Sequence, residues 1–465
     1  MHPAPSSRAG HRPPRSLRWQ TLVVTAACAA SMGSACGSGA TGTDSDAGSG
    51  GTPGSGGTPG GTGGSGRGGA NASGGSSGIA GQTGTGGTPG TGGTPGTGGT
   101  PGTGGSAGTG GGAGRAGTGG TSPGTGGSID GGAGQPGVVA AGVRWVGRVD
   151  LGNAQQPRFS WSGSGFVARF SGTSLSMQIN SSGAFIFKAV VDGTPRAAFT
   201  IPSGQQTASV VTGLSAGMHT VELYRQTEGS QGDSQLLGLT VGGGALTTPP
   251  SAPARLIEII GDSISCGYGT LGALADSDCF PTESHWDTYG AVAARALGAD
   301  VNTIAMSGQG AYRNYGGDMN NTLPMVYTRA LTNDATPAWD FRTQAQAVIV
   351  NLGTNDISNG KGDPGTPFES AYTGLLQTVR SKYPGALIIC IIGPLLSGTD
   401  LSTIQGHIKA SVAARVAAGD KNVELFDKIA AQSSDKAACQ YHPDPAENQI
   451  MADQLVAELR SKLGW

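Results

Sequence analysis

Arg255-Leu256-Ile257-Glu258-Ile259-Ile260-Gly261-Asp262-Ser263-Ile264-Ser265 decides how this chain is read. Arg255–Ile260 is an apolar run of strand length. Gly261 then lets the backbone leave the strand tightly. The chain beyond Ser265 repeats that grammar. Val301–Ala305, Ala347–Leu352, Ala386–Ile392 and Val423–Phe426 are further apolar strands. Between or after them, Asp287–Leu297, Phe368–Lys382, Ile404–Ala418 and Ala446–Leu463 carry helical patterning. Alternating strand and helix predicts an α/β domain over 254–465, a parallel sheet covered on both faces. Ligands of such sheets bind at the C-terminal ends of the strands.

Upstream the texture is different. Short alternating runs begin at Val143 and recur to Val241, separated by turns such as Asp192-Gly193-Thr194-Pro195. No window there has a helical period. Residues 138–248 therefore read as an all-β sandwich. Trp145 and Trp161 are expected in its core. A short Pro-rich linker, 249–253, joins the two domains.

Further upstream the composition collapses. The chain has 87 glycines, and 47 of them lie in 37–137. That tract has no aromatic residue and only five charges, so it cannot bury enough apolar surface to offset its chain entropy. Gly86–Gly105 repeats Gly-Gly-Thr-Pro-Gly-Thr. Collagen needs glycine at every third position, but here proline is sparse and the intervening positions are often glycine again. A flexible tether with a root-mean-square span of roughly 50–60 Å is the favoured reading. Residues 1–36 read as an export signal: Arg8, Arg12, Arg15 and Arg18, then the apolar run Leu22–Ala30, then small residues. Gly33-Ser34-Ala35-Cys36 resembles a lipidation site with Cys36 as the acceptor. The expectation is an exported protein, a cell-surface or outer-membrane lipoprotein or else secreted. The membrane would be met only through that anchor.

Charge narrows the function. The formal net charge is −2. The first 36 residues carry +4 and the tract −1, which leaves −5 on the folded part. A mildly acidic surface without basic clusters excludes nucleic acid as the expected partner. Export permits disulfides. Cys266 and Cys279 are close enough in sequence to pair, and Cys390 sits in an apolar strand as a buried thiol. No Cys or His spacing points to a metal.

The pattern Gly-x-Ser-x-Gly recurs in this chain and misleads. Matches at Gly74 and Gly104 lie in the tether. Another surrounds Ser215 between two predicted strands, where a nucleophile elbow needs strand, turn, helix. Ser263 is the better candidate nucleophile. Ser307-Gly308-Gln309-Gly310 follows the second strand of the α/β domain, and Gly353-Thr354-Asn355-Asp356 the third. His442 precedes the last helix. All converge on one sheet edge. They supply a hydroxyl nucleophile, an imidazole base and N–H donors for an oxyanion, the set that acyl transfer requires.

These four segments resemble, in order, the four blocks of the SGNH (GDSL-type) hydrolases. More narrowly, the chain is similar to carbohydrate esterase family 2. The segments that carry this are Val143–Arg148, His219–Leu223, Gly261–Gly269, Gly308–Gly316 and Trp339-Asp340-Phe341. The resemblance implies a three-layer αβα domain behind a jelly-roll sandwich. It also implies a Ser263 nucleophile, a His442 base, and an oxyanion hole of Ser263, Gly308 and Asn355. The implied reaction removes O-acetyl groups from polysaccharides such as xylan or glucomannan without a cofactor. One departure stands out. Cys439 and Gln440 occupy the places where an aspartate usually precedes the histidine. A Ser-His dyad oriented by a backbone carbonyl is the expectation, with Asp435 or Asp444 as possible substitutes. Tyr312, Tyr315 and Trp339 are candidates for stacking on sugar rings. Asp262 and Asp356 are expected to brace loops, and His285 and His407 to be structural. The alternatives are an SGNH lipase or thioesterase, or a glycan-binding surface protein with a degenerate hydrolase domain.

Overall fold

The computed structural model describes residues 142–465. The export signal, Cys36 and the glycine tract lie outside the described residues.

The first half is an antiparallel sandwich. One sheet runs Val143–Val146, Gly165–Gly172, Gly217–Arg225, Phe185–Val191 and Thr194–Pro195, with Ala245–Thr247 and Phe199–Ile201 added alongside. The other has four strands, Arg158–Phe159, Ser234–Gly242, Ser174–Ser181 and Gly204–Val211. Alternation along each strand puts Phe166, Ala168, Phe170, Leu175, Met177, Ile179, Val221 and Leu223 inside. Trp145 packs at the edge of this core on Phe159 and Phe166. Trp161 does not. Its ring lies in the apolar cluster of the second domain, and its Nε1 donates to the Ala330 carbonyl at 3.1 Å. The expectation for Trp161 was wrong because its place is set by contacts 169 residues away in sequence.

The second half is a five-stranded parallel sheet: β1 (Arg255–Gly261), β2 (Ala299–Ala305), β3 (Ala347–Asn351), β4 (Leu387–Ile391) and β5 (Val423–Leu425). The strand order is 2-1-3-4-5, the flavodoxin-like arrangement. Its helices are α1 (Ser263–Cys266), α2 (Tyr289–Ala296), α3 (Leu323–Val326), α4 (Thr354–Ile357), α5 (Gly365–Lys382), α6 (Gly398–Ala417) and α7 (Pro445–Leu463). Alternate residues of β1 face opposite layers. Ile257 and Ile259 pack with α2 and α7, whereas Leu256 and Ile260 pack with the layer of α5 and α6. The single-turn helices α1 and α4 carry no periodicity that a sequence pattern could register.

The domains are joined by buried charge. Arg148 of the sandwich and Glu258 of β1 are both fully buried, with the guanidinium 3.3–3.4 Å from both carboxylate oxygens. Tyr327 and Tyr383 donate to the same carboxylate at 2.8 and 2.7 Å. Arg148 also donates to the Tyr327 and Arg329 carbonyls. Removing either ion of such a pair would strand the other without solvent.

Candidate active site

Ser263 opens α1 directly after β1. Asp262 caps this turn, accepting from the Ile264 N–H at 3.0 Å. As the first helical residue, Ser263 has a backbone N–H with no intrahelical acceptor. Its Oγ lies 2.8 Å from His442 Nε2. The serine is 8% exposed. Burial pushes the His442 pKa below its ordinary value, while the carbonyls of Cys439 and Gln440 pull the other way.

His442 Nδ1 faces the Cys439 carbonyl oxygen at 3.2 Å. No carboxylate takes that place. Asp444 caps α7 through the Glu447 N–H, and the Asp435 side chain is exposed beside Lys436. Gln440 turns away and donates to the Ser277 carbonyl at 3.0 Å. The carbonyl is aimed by an unusual backbone. Gln440 and Tyr441 have φ of 50° and 66°, sparsely populated for residues with side chains. A disulfide between Cys279 and Cys439 ties down this loop. That pairing rules out the Cys266–Cys279 bridge that proximity in sequence allowed. Cys266 is a free buried thiol, as is Cys390. The ring of Tyr268 meets His442 edge-on, with centroids 5.0 Å apart.

The candidate oxyanion donors come from the loops after β2 and β3. Gly308 has φ of 77° and Gly353 of 128°, values that L side chains rarely adopt. A Cβ on Gly353 would also lie 2.6 Å from Ile404. Asn355 is 6% exposed. Its amide donates to the Gln309 carbonyl at 2.8 Å and makes a longer contact, 3.3 Å, to Asp262. The Asp356 carboxylate accepts the N–H groups of Ala311, Tyr312 and Arg313 at 2.8–2.9 Å, which fixes the loop after Gly308. Burial raises the pKa of both aspartates, that of Asp262 to about 7.

The aromatic candidates separate. Tyr315 is half exposed, and Lys361 lies over its ring. Tyr312 is partly buried against the core. Trp339 is buried, flanked by the Arg148 and Arg342 guanidiniums, so it is a core residue with no face for a sugar. His285 is buried and bonded to Thr303, and His407 bridges Glu369 and Asp363. Tyr268 was not singled out from sequence, although it lies within the quoted Gly261–Gly269 segment. Cys439 was read only as a replacement for aspartate.

A parallel 2-1-3-4-5 sheet with serine, glycine, asparagine and histidine gathered at its C-terminal edge defines a GDSL-type hydrolase. The comparisons agree. Residues 259–454 match the GDSL-like Lipase/Acylhydrolase family, and residues 145–250 match Carbohydrate esterase 2 N-terminal. The chain belongs to carbohydrate esterase family 2, a family of carboxylic ester hydrolases. It is 37% identical over 326 residues to the cellulase/esterase CelE of Acetivibrio thermocellus, covering 70% of this chain and 40% of that protein. It is 26% identical over 335 residues to an acetylxylan esterase / glucomannan deacetylase of Cellvibrio japonicus, covering 70% and 89%. Among solved structures, a family two carbohydrate esterase from Clostridium thermocellum in complex with cellohexaose is 38% identical. It superposes with a TM-score of 0.67 over 70% of this chain and all of that one.

Proposed function

We propose that this chain is an exported serine esterase that removes O-acetyl groups from plant cell-wall polysaccharide, xylan or glucomannan, through a Ser263–His442 dyad. The observation that carries this is His442 itself, with one ring nitrogen 2.8 Å from Ser263 Oγ and the other on a backbone carbonyl. The acetylxylan esterase / glucomannan deacetylase relatives support the substrate class. The Cys279–Cys439 disulfide supports an oxidising destination, in keeping with a basic-apolar leader and lipidation at Cys36.

The neutral imidazole accepts the Ser263 proton on Nε2 as Oγ bonds to the acetyl carbon. The carbonyl oxygen becomes an oxyanion facing the N–H groups of Ser263 and Gly308 and the Asn355 amide. One Asn355 N–H is anchored on Gln309, and the other has only its long contact to Asp262 to give up. His442 then returns its proton to the departing sugar oxygen, leaving acetyl-Ser263. Water attacks the acetyl carbon, with His442 again taking the proton. Acetate leaves and Ser263 is restored. The Cys439 carbonyl holds the tautomer in which Nδ1 carries hydrogen and Nε2 is free.

The test compares wild type, Ser263→Ala and Asn355→Ala on an aryl acetate and on acetylated glucomannan. Ser263→Ala is expected to lose about 10⁴–10⁶ in kcat and Asn355→Ala roughly 10²–10³. Acetate release by Ser263→Ala at the wild-type rate rules the assignment out.

A further inference from the structure

The loop after the sandwich strand Gly217–Arg225 does not stay in the sandwich. Residues Arg225–Gly229 are buried, and Glu228 reaches the active-site loops of the other domain. Its Oε2 accepts from the Ser307 N–H at 2.9 Å, from the Ser307 hydroxyl, and from the Cys266 thiol at 2.9 Å. Ser307 immediately precedes Gly308. Cys266 lies one helical turn after Ser263. One carboxylate oxygen from the sandwich thus binds both the segment that presents an oxyanion donor and the helix that presents the nucleophile.

The loop is built to hold Glu228 still. Arg225 is fully buried, stacked 3.8 Å from the Phe185 ring, and donates to the carbonyls of Thr227, Glu228 and Gly232. Asn333 donates to the Gly229 carbonyl. A Cβ on Gly229 would lie 1.7 Å from Thr332 Oγ1, so the backbone is pressed against the second domain. Glu283 completes the surroundings. Burial and the neighbouring Glu228 charge push its pKa well up, which favours its protonated form beside the Cys266 thiol. Glu228, Cys266 and Glu283 also have the composition of a metal cluster. However, Glu228 Oε2 already accepts from three donors, and the buried Arg225 guanidinium lies within electrostatic reach of Glu283, Asp233 and Glu228.

We infer that Glu228 is a positioning residue of the esterase site, and that the sandwich completes the oxyanion hole by clamping Ser307 and α1 together. This rests on the assignment of Ser263 as nucleophile. Catalysis is sensitive to such placement, since a shift of about 1 Å can cost on the order of 10²-fold in rate. An aryl acetate makes no sugar contacts, so a defect of positioning should fall on kcat rather than KM.

The experiment uses the full chain with Glu228→Ala, Glu228→Gln, Ser307→Ala and Ser263→Ala. Kinetics are measured on an aryl acetate well below each thermal midpoint, together with inhibition by a small boronic acid. The boronate forms a tetrahedral adduct on Ser263 and so reports the oxyanion hole. Glu228→Ala is expected to lower kcat by roughly 10–10²-fold with KM within about two-fold, and to weaken the boronate by a similar factor. Glu228→Gln keeps one acceptor oxygen and should recover most of kcat. A purely structural Glu228 would lower the midpoint and leave kcat and boronate affinity unchanged, which overturns the inference. Should Glu228→Ala fail to fold, Ser307→Ala decides. A loss of about ten-fold in kcat with unmoved KM supports the clamp, and wild-type kcat overturns it. Activity in Ser263→Ala would overturn the nucleophile assignment instead, a separate result.

Discussion

His442 Nδ1 lies 3.2 Å from the carbonyl oxygen of Cys439, and Cys439 is itself tethered through sulfur to Cys279, 160 residues earlier. The carbonyl that faces His442 is therefore held by a covalent link to the loop after α1. A backbone carbonyl, not a carboxylate, is the partner of Nδ1.

The first prediction concerns that link. Closing a loop of this length stabilises a fold by roughly 2–5 kcal/mol. Cys279→Ser with Cys439→Ser should lower the thermal midpoint. It should also lower kcat at temperatures where the variant is folded, because the 439–442 loop is freed. A kcat equal to wild type in the folded double variant would show that the backbone alone aims the carbonyl.

The second concerns pH. In the proposed mechanism His442 must be neutral to take the serine proton. Burial holds its pKa below the ordinary 6.5, only partly offset by the Cys439 and Gln440 carbonyls. The acid limb of kcat/KM should therefore have its midpoint below 6.5, with activity lost as pH falls through it. A midpoint at or above that value, measured on an aryl acetate, contradicts the geometry.

The third concerns the domain lock. Arg148→Met leaves Glu258 buried with only two tyrosine hydroxyls. The expected loss is about 3–5 kcal/mol in a urea melt. Adding Glu258→Gln should recover part of it, since the stranded charge is gone. Two independent, additive losses would show that the residues do not act as a pair.

The fourth concerns acid stability. Burial, with Arg295 nearby, depresses His285 to about 3. Its folded value lies below its unfolded one, so protons prefer the unfolded chain. The stability it confers is complete above about pH 6.5 and is lost as pH falls toward its folded value. His285→Gln should flatten the fall in thermal midpoint between about pH 6.5 and 4, whatever it does at neutral pH. An unchanged slope removes His285 from the account.

The catalytic candidates were legible because each sits beside a strand end. Ser263 follows β1, Gly308 follows β2 and Asn355 follows β3, so recognising the strands also located the residues. His442 was legible from its place before α7. Trp161 was misplaced for the opposite reason. An aromatic residue says that it wants burial, not in which core, and Trp161 is claimed by a contact with Ala330 of the second domain. Trp339, a candidate for stacking on sugar, lies buried between the Arg148 and Arg342 guanidiniums. The disulfide partner of Cys279 was open in the sequence. Proximity along the chain allowed Cys266, yet the fold brings Cys439 to 5.8 Å between Cα atoms and leaves Cys266 under Glu228.

The sequence by itself determined the order and type of elements, the sandwich before the parallel sheet, and the four candidate residues for acyl transfer. Those rest on periodicity, turn residues and adjacency along the chain, which are local properties. Only the tertiary structure decided what orients His442, which cysteines pair, and how Glu228 and Arg148 cross from the sandwich into the second domain. These depend on pairs separated by up to 181 residues. Their energy comes from burial and charge compensation that exist only after the domains have packed together.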